Sequence, residues 1–169
     1  MTLIRNSGEA DLPAIRDIYN AAVRNTTAIW NDVEVDLADR LDWFRQRRSA
    51  GFPVLVAERG GSIVGYAACG PFRPQFGYRA TVEHSVYVAE DARGGGIGRT
   101  LMLALMDRLG DAGQHVMVGA VDATNKASIA LHLSLGFAEV GRMPQVGQKF
   151  GRWLDLVLLQ RLLDDRPVP

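Results

Sequence analysis

"RGGGIG", residues 93–98, stands between "TVEHSVYVA" (81–89), which alternates as a strand does, and "RTLMLALMDRLGDAG" (99–113), whose apolar spacing is that of a helix. Four of these six residues are glycine. Glycine permits positive φ angles and lets a ligand come close to the main chain. The start of a helix directs unpaired N–H groups and a partial positive charge outward. A strand, a glycine loop and a helix in that order therefore predict an anion-binding turn in an α/β domain. A dinucleotide fingerprint does not fit, because counting from Gly94 or Gly96 places Arg99 or Leu101 where its last glycine belongs. The phosphate loop of nucleotide hydrolases does not fit either, since no Gly-Lys-Ser or Gly-Lys-Thr ending is present.

Working outward, "TLIR" (2–5) reads as a short strand, and "DLPAIRDIYNAAVRN" (11–25) as a helix opened by Asp11 and Pro13. Its inward face carries Ile15, Ile18, Tyr19, Ala22 and Val23. "DLADRLDWFRQRRSAG" (36–51) predicts a second helix with Leu37, Leu41 and Phe44 inward and Gly51 as its stop. "FPVLVAE" (52–58) and "SIVGYAACG" (62–70) read as a hairpin across "RGGS". "PFRPQFGYRA" (71–80) is a connection rich in Pro, Gly and aromatic residues. "QHVMVGAV" (114–121) is a buried strand, "DATN" (122–125) a break, and "KASIALHLSLG" (126–136) a helix closed by Gly136. "FAEVGRMPQVG" (137–147) and "WLDLVLLQRL" (153–162) supply two final strands. The expected order is β-α-α-β-β-β-α-β-α-β-β: a mixed α+β chain of the α/β class, a central mixed sheet of about seven strands with about four helices on both faces. One domain over residues 1–169 is expected.

Composition narrows the partners. Lys plus Arg and Asp plus Glu balance at 19 each, which argues against a nucleic-acid or anionic-membrane surface. Hydrophobic residues at 47% and charged residues at 22% suit a soluble globular chain. Cys69 is the only cysteine, so no intramolecular disulfide forms, and a cytoplasmic setting is expected. No stretch approaches the roughly 18 apolar residues of a membrane span.

Arg-x-x-Gly-x-Gly, here Arg93, Gly96 and Gly98, followed downstream by "NKASIALHLSLGF" (125–137), resembles the coenzyme A signature of the GNAT superfamily of N-acetyltransferases. "TVEHSVYV", "SIALHLSLGF" and "VGQKFGRWLDLVLLQR" (146–161) are similar to its phosphinothricin and methionine sulfoximine acetyltransferase branch. The resemblance runs through most of the chain and is weakest at its ends. It implies the GNAT fold and acetyl-CoA as acetyl donor, with no metal. The backbone of Gly94, Gly95, Gly96, Ile97, Gly98 and Arg99, with the charge of Arg93 and Arg99, would hold the pyrophosphate. Val86, Tyr87 and Val88 would pair with the pantetheine arm like an added strand, and Asn125 would bond it as well. The Val86 N–H would polarise the thioester carbonyl.

Glu83 is then the expected base for the acceptor amine. His132 stands where the broad superfamily commonly has a thiolate-protonating Tyr, and an imidazole there supplies a proton or acts as a second base; both readings stay open. For the acceptor, the fork of Arg73 suits a carboxylate. Gln75, Tyr78, Trp30, His84 and Ser85 complete the expected substrate-binding set. The implied reaction is acetylation of the α-amine of small amino-acid-like compounds such as methionine sulfoximine, methionine sulfone or phosphinothricin. Acetylation of a protein N-terminus or a polyamine, and a coenzyme A sensor without catalysis, remain as alternatives. A homodimer paired through "WLDLVLLQ" and an ordinary interior strand are equal options for the last segment.

Overall fold

The computed structural model describes residues 1–169. Seven strands run β1 (Thr2–Asn6), β2 (Val54–Arg59), β3 (Ser62–Pro71), β4 (Thr81–Val88), β5 (Val116–Asp122), β6 (Ala138–Lys149) and β7 (Arg152–Leu162). Four α-helices intervene: α1 (Leu12–Asn25), α2 (Leu37–Ser49), α3 (Ile97–Asp111) and α4 (Lys126–Ser134). The expected element order and mixed sheet are both found. Strand order across the sheet is β1-β2-β3-β4-β5-β7-β6, antiparallel everywhere except between β4 and β5.

The two-residue period of the strands sorts their side chains between two cores. Val54 and Val56 of β2, with Tyr66 and Ala68 of β3, pack with Leu12, Ile15, Ile18 and Phe44 of α1 and α2. Their neighbours Leu55, Ala57, Ala67 and Cys69 face the other way, onto Leu101, Met102, Leu105 and Leu109 of α3. Burying each such aliphatic side chain contributes about 1.5–3 kcal/mol, so α3 is held firmly against the sheet that its glycine loop leaves. The β2–β3 hairpin turns through Gly60 and Gly61, at φ 59° and 80°, as a two-residue loop of this hand requires.

One expectation is corrected, and one open choice is decided. Leu37 is exposed at the start of α2, and Arg40 takes an inward place instead. Its guanidinium lies 4.4 Å from the ring centre of Tyr19 and 5.0 Å from that of Trp43, so aromatic faces stabilise a buried cation. The last segment forms β7, which is paired to β5 on one side and β6 on the other. With both edges taken, β7 cannot add a strand from a second copy, and β6 is the outer strand at that end. No helix is long and apolar enough to cross a membrane.

Candidate active site

The site begins where the sheet divides. β4 pairs with β3 along its whole length, from Val82 against Pro71 to Val88 against Gly65. It pairs with β5 only over Thr81–Glu83. β5 meanwhile continues beside β7 as far as Asp122. Beyond Glu83 the two strands part, and the β5-facing edge of Ser85–Val88 is left with backbone groups unpaired within the sheet. Such an edge accepts an extended, amide-bearing ligand as an extra strand.

The glycine loop lies at the far end of this edge. Gly94 and Gly96 adopt φ of 80° and 75°, which a side chain would strain. Gly96 caps α3 without a side-chain acceptor. The N–H groups of Gly94, Gly95 and Gly96 make no hydrogen bond within the protein, and helix geometry leaves those of Ile97, Gly98 and Arg99 without intrahelical acceptors. A run of bare amides at a helix start is an anion cradle. Arg93 Nε donates to the Val88 carbonyl at 3.2 Å and fastens the loop to β4. Arg99 Nη1 donates to Ser134 Oγ at 3.0 Å, which ties the same loop to α4. Arg59, which carried no sequence signal, brings a further cation beside Gly95: a Cβ there would lie 3.9 Å from its Nη1.

A groove of about 800 Å³ runs from this loop along Val86–Ala89, between α1 on one side and Asn125, Ser128 and Leu131 on the other. It meets a second cavity of about 380 Å³ at Ala28, Val86, Tyr87, Asn125 and Ser128. That cavity is lined by Trp30, Asn31, Glu83, Ser85, Gly119, Asp122 and His132 among others. Asn125 caps α4, its Oδ1 accepting from the Ser128 N–H at 3.1 Å. Its amide N–H groups have no protein partner, so the cap also offers donors to the groove.

Along β4 the side chains alternate. Glu83, Ser85 and Tyr87 share the face turned to α1 and α2, whereas Val82 and His84 point to the α3 and α4 side. His84 thus points away from the side chain of the base, yet its ring lines the same cavity as Glu83 and Ser85. Loss of hydration holds the Glu83 carboxyl above its ordinary pKa, and the positive charge of Arg73 draws it partly back. Glu83 and Ser85 also border a shallower cavity of about 210 Å³ with Trp43, Arg47, Cys69 and Gly70. The Cys69 thiol is pushed up to about 12 by burial, which leaves it inert as a nucleophile. Arg73, Gln75 and Tyr78 are exposed on the 72–79 connection and line none of these cavities; of the three, only Arg73 acts on Glu83.

His132 is buried on α4, and its Nδ1 lies 2.7 Å from the Ser128 carbonyl. A carbonyl only accepts, so Nδ1 carries the proton and Nε2 is a lone pair. His84 Nε2 stands 3.0 Å from that lone pair and donates to it. Both imidazoles are neutral: burial, followed by the neighbouring His132, pushes His84 down to about 3. Burial likewise holds His132 below the usual histidine value, against the Ser128 hydrogen bond. In this tautomer His132 has no proton on Nε2 to give a departing thiolate, and its lone pair is already engaged. Both rings fit only because residue 119 is glycine; a Cβ there would come 2.7 Å from His132 Nε2 and 3.0 Å from His84 Nε2.

Asp122 is a further site residue that sequence reasoning missed. It ends β5 inside the cavity and accepts from Thr27 Oγ1, from Thr124 N at 2.8 Å and from Thr124 Oγ1 at 3.0 Å. Desolvation would raise its pKa, but these bonds outweigh it and hold the carboxyl below the usual range. The signal was present in "DATN", where an Asp two residues before a Thr at a strand end favours a local turn.

A split β4–β5 pair, a bare-amide loop and a carboxylate where the strands part are thus brought together along one groove and the cavity it meets. The chain belongs to the acetyltransferase (GNAT) family, whose model matches residues 15–137. It is 57% identical over 162 residues to an L-methionine sulfoximine/L-methionine sulfone acetyltransferase of Pseudomonas paraeruginosa, covering 95% of this chain and 94% of that protein. A phosphinothricin N-acetyltransferase of Alcaligenes faecalis is 43% identical, covering 95% and 82%. Among solved structures, a Salmonella typhimurium protein with its cofactor acetyl-CoA superposes with a TM-score of 0.97 at 50% identity, covering 99% of this chain and 97% of that one. A ribosomal-protein-alanine N-acetyltransferase of Brucella melitensis superposes with a TM-score of 0.94 at 57% identity, covering 95% and 99%.

Proposed function

We propose that this chain, acting as one domain, transfers an acetyl group from acetyl-CoA to the α-amine of small amino-acid-like acceptors of the methionine sulfoximine, methionine sulfone and phosphinothricin kind. The observation that carries this reading is the position of Glu83: it is the last β4 residue paired to β5, and it lines the smaller cavity into which the groove opens. Acetyl-CoA, when bound, supplies an acetyl group activated as a thioester.

The residues present fit that donor. The bare amides of 94–99, with Arg93, Arg99 and Arg59 nearby, match a diphosphate. The open edge of Val86–Val88 and the free amide of Asn125 match an arm that carries peptide-like groups. The Val86 N–H is the donor proposed for the thioester oxygen, where charge develops.

Glu83 takes the proton from the acceptor ammonium, directly or through a water. Its raised pKa, caused by loss of hydration, makes it a stronger base than an ordinary surface carboxylate. Attack by the freed amine is direct, since the one cysteine is buried and protonated. His132 and His84 serve as a neutral, hydrogen-bonded wall rather than as the acid. The charge of Arg73 favours the ionised form of Glu83, and its exposed place on the 72–79 connection leaves its fork free to meet a substrate carboxylate. Gln75 and Tyr78 remain proposed contacts only through movement of the 72–79 connection. The lone unpaired thiol suits a cytoplasmic setting.

The name of the Brucella structure favours a second reading, acetylation of a protein N-terminal alanine. Thiol release from acetyl-CoA, measured on methionine sulfoximine, methionine sulfone, phosphinothricin, spermidine and an alanine-initiated peptide, separates the two. Turnover confined to the amino-acid analogues is expected. Turnover on the peptide alone would transfer the proposal to the second reading, and coenzyme A binding without any turnover would leave a sensor.

A further inference from the structure

The β6–β7 hairpin reaches across the sheet end to the loop that follows α1. Lys149, the last residue of β6, is only 3% exposed and faces no carboxylate at hydrogen-bond distance. Its ammonium donates instead to three backbone carbonyls: Val23 at 2.6 Å, Thr26 at 2.8 Å and Ile29 at 2.5 Å. All three N–H groups are thereby used, and the cation closes the carbonyl end of α1, where the helix dipole favours it.

Two residues earlier on the same strand, Gly147 lies beneath the indole of Trp30. A Cβ at 147 would overlap ring atoms Cε3 and Cζ3. The φ of Gly147 is not positive, so its backbone conformation would accept alanine and only the indole forbids one. Trp30 is fixed from its other side as well, its Nε1–H donating to the Thr27 carbonyl at 2.9 Å, while Thr27 holds Asp122. Trp30, Ile29 and Asp122 all line the cavity that contains Glu83.

We propose that Gly147 and Lys149 are positioning residues that set the shape of the acceptor pocket: Lys149 anchors the 26–30 loop, and the bare Cα of Gly147 lets the Trp30 indole lie back as the pocket wall. A side chain at 147 pushes that indole into the space of the acceptor. Neither residue touches acceptor or donor; both act through the loop. The inference rests on the acceptor assignment above for what the pocket admits, but not for the clamp itself.

The test is a double-mutant cycle between Gly147→Ala and Trp30→Ala, read by steady-state kinetics with methionine sulfoximine and by near-ultraviolet circular dichroism. Gly147→Ala raises the acceptor KM by about tenfold, leaves the acetyl-CoA KM within about twofold, and changes the aromatic dichroism. In the Trp30→Ala background the same substitution changes neither quantity. Lys149→Met, checked for folding by its thermal transition, raises acceptor KM more than it lowers kcat. An effect of Gly147→Ala that persists without Trp30, or unchanged kinetics and dichroism in its presence, overturns the proposal. Should the wild-type protein turn over no amine at all, the acceptor assignment fails, while the dichroism arm still decides the clamp.

Discussion

Acidifying the protein from pH 7 to pH 5 sets the buried His84–His132 pair against the unfolded chain. An unfolded histidine takes up its proton near pH 6.5, whereas His84 in the fold is pushed down to about 3, chiefly by burial. His132 is displaced in the same direction. A folded pKa below the unfolded one means that the unfolded state binds more protons, so stability is complete above about pH 6.5 and falls as the pH drops towards 3. One such group costs about 1.4 kcal/mol per pH unit, hence about 2 kcal/mol between pH 6.5 and pH 5, and His132 adds to this. Glu83, whose carboxyl is raised, works in the opposite sense and should be removed from the comparison. The only other histidine, His115, lies 2.6 Å from Asp164. Urea denaturation at pH 7, 6 and 5 in a Glu83→Gln, His115→Gln background therefore isolates the pair. Asp11 and Asp122 do not interfere, because carboxyls held low lose their contribution only as the pH falls below about 4. The unfolding free energy should fall by about 2 kcal/mol or more over this range, a large part of a typical domain's stability. A flat profile would refute the neutral, mutually bonded imidazoles and with them the argument against His132 as acid.

Glu83→Gln should lower kcat by roughly 10²–10⁴-fold while leaving coenzyme A affinity intact, as judged by calorimetry. Arg73→Gln removes the charge that favours ionised Glu83, so the acidic limb of the kcat/KM profile should move to higher pH; movement to lower pH would contradict the electrostatic assignment. Gly96→Val places a branched side chain at φ 75° in the amide cradle and should weaken coenzyme A binding at least about tenfold in a calorimetric titration. Leu105→Ala opens a cavity under α3, where Leu105 is fully buried, and should cost about 2–5 kcal/mol in urea denaturation without altering which acceptors are used.

Local chemistry accounts for what the sequence made legible. The glycine loop, the Gly60–Gly61 turn and the alternation of β2 and β3 are short-range patterns, and each appears where its residues predict it. Glu83 and the residues of the β4 edge were singled out only by the resemblance to the acetyltransferase family, which the strand and glycine loop next to them carry. What escaped depends on contacts distant in sequence. His84 and His132 are 48 residues apart, and their pairing across Gly119 follows from where β4 and β5 part, which no single segment encodes. Leu37 fails because the α2 periodicity does not say that Arg40 will bury itself between aromatic rings. The β7 expectation turns on sheet order: an apolar strand reads alike at an edge or in the interior, and here β6 takes the edge. Arg59 and Arg47 reach the site from elements whose local sequence gives no ligand signal, and the turn signal of "DATN" does not say that Asp122 will face a cavity.

The account stands on the amides of residues 94–99 and the unpaired edge of β4. Titrating coenzyme A into ¹⁵N-labelled protein and following backbone amide resonances addresses both at once. The largest shifts should fall on Gly94–Arg99 and on Val86–Val88, with the Asn125 side-chain amide among them. Saturation of the protein with these resonances unmoved, or with shifts clustered elsewhere, would contradict it.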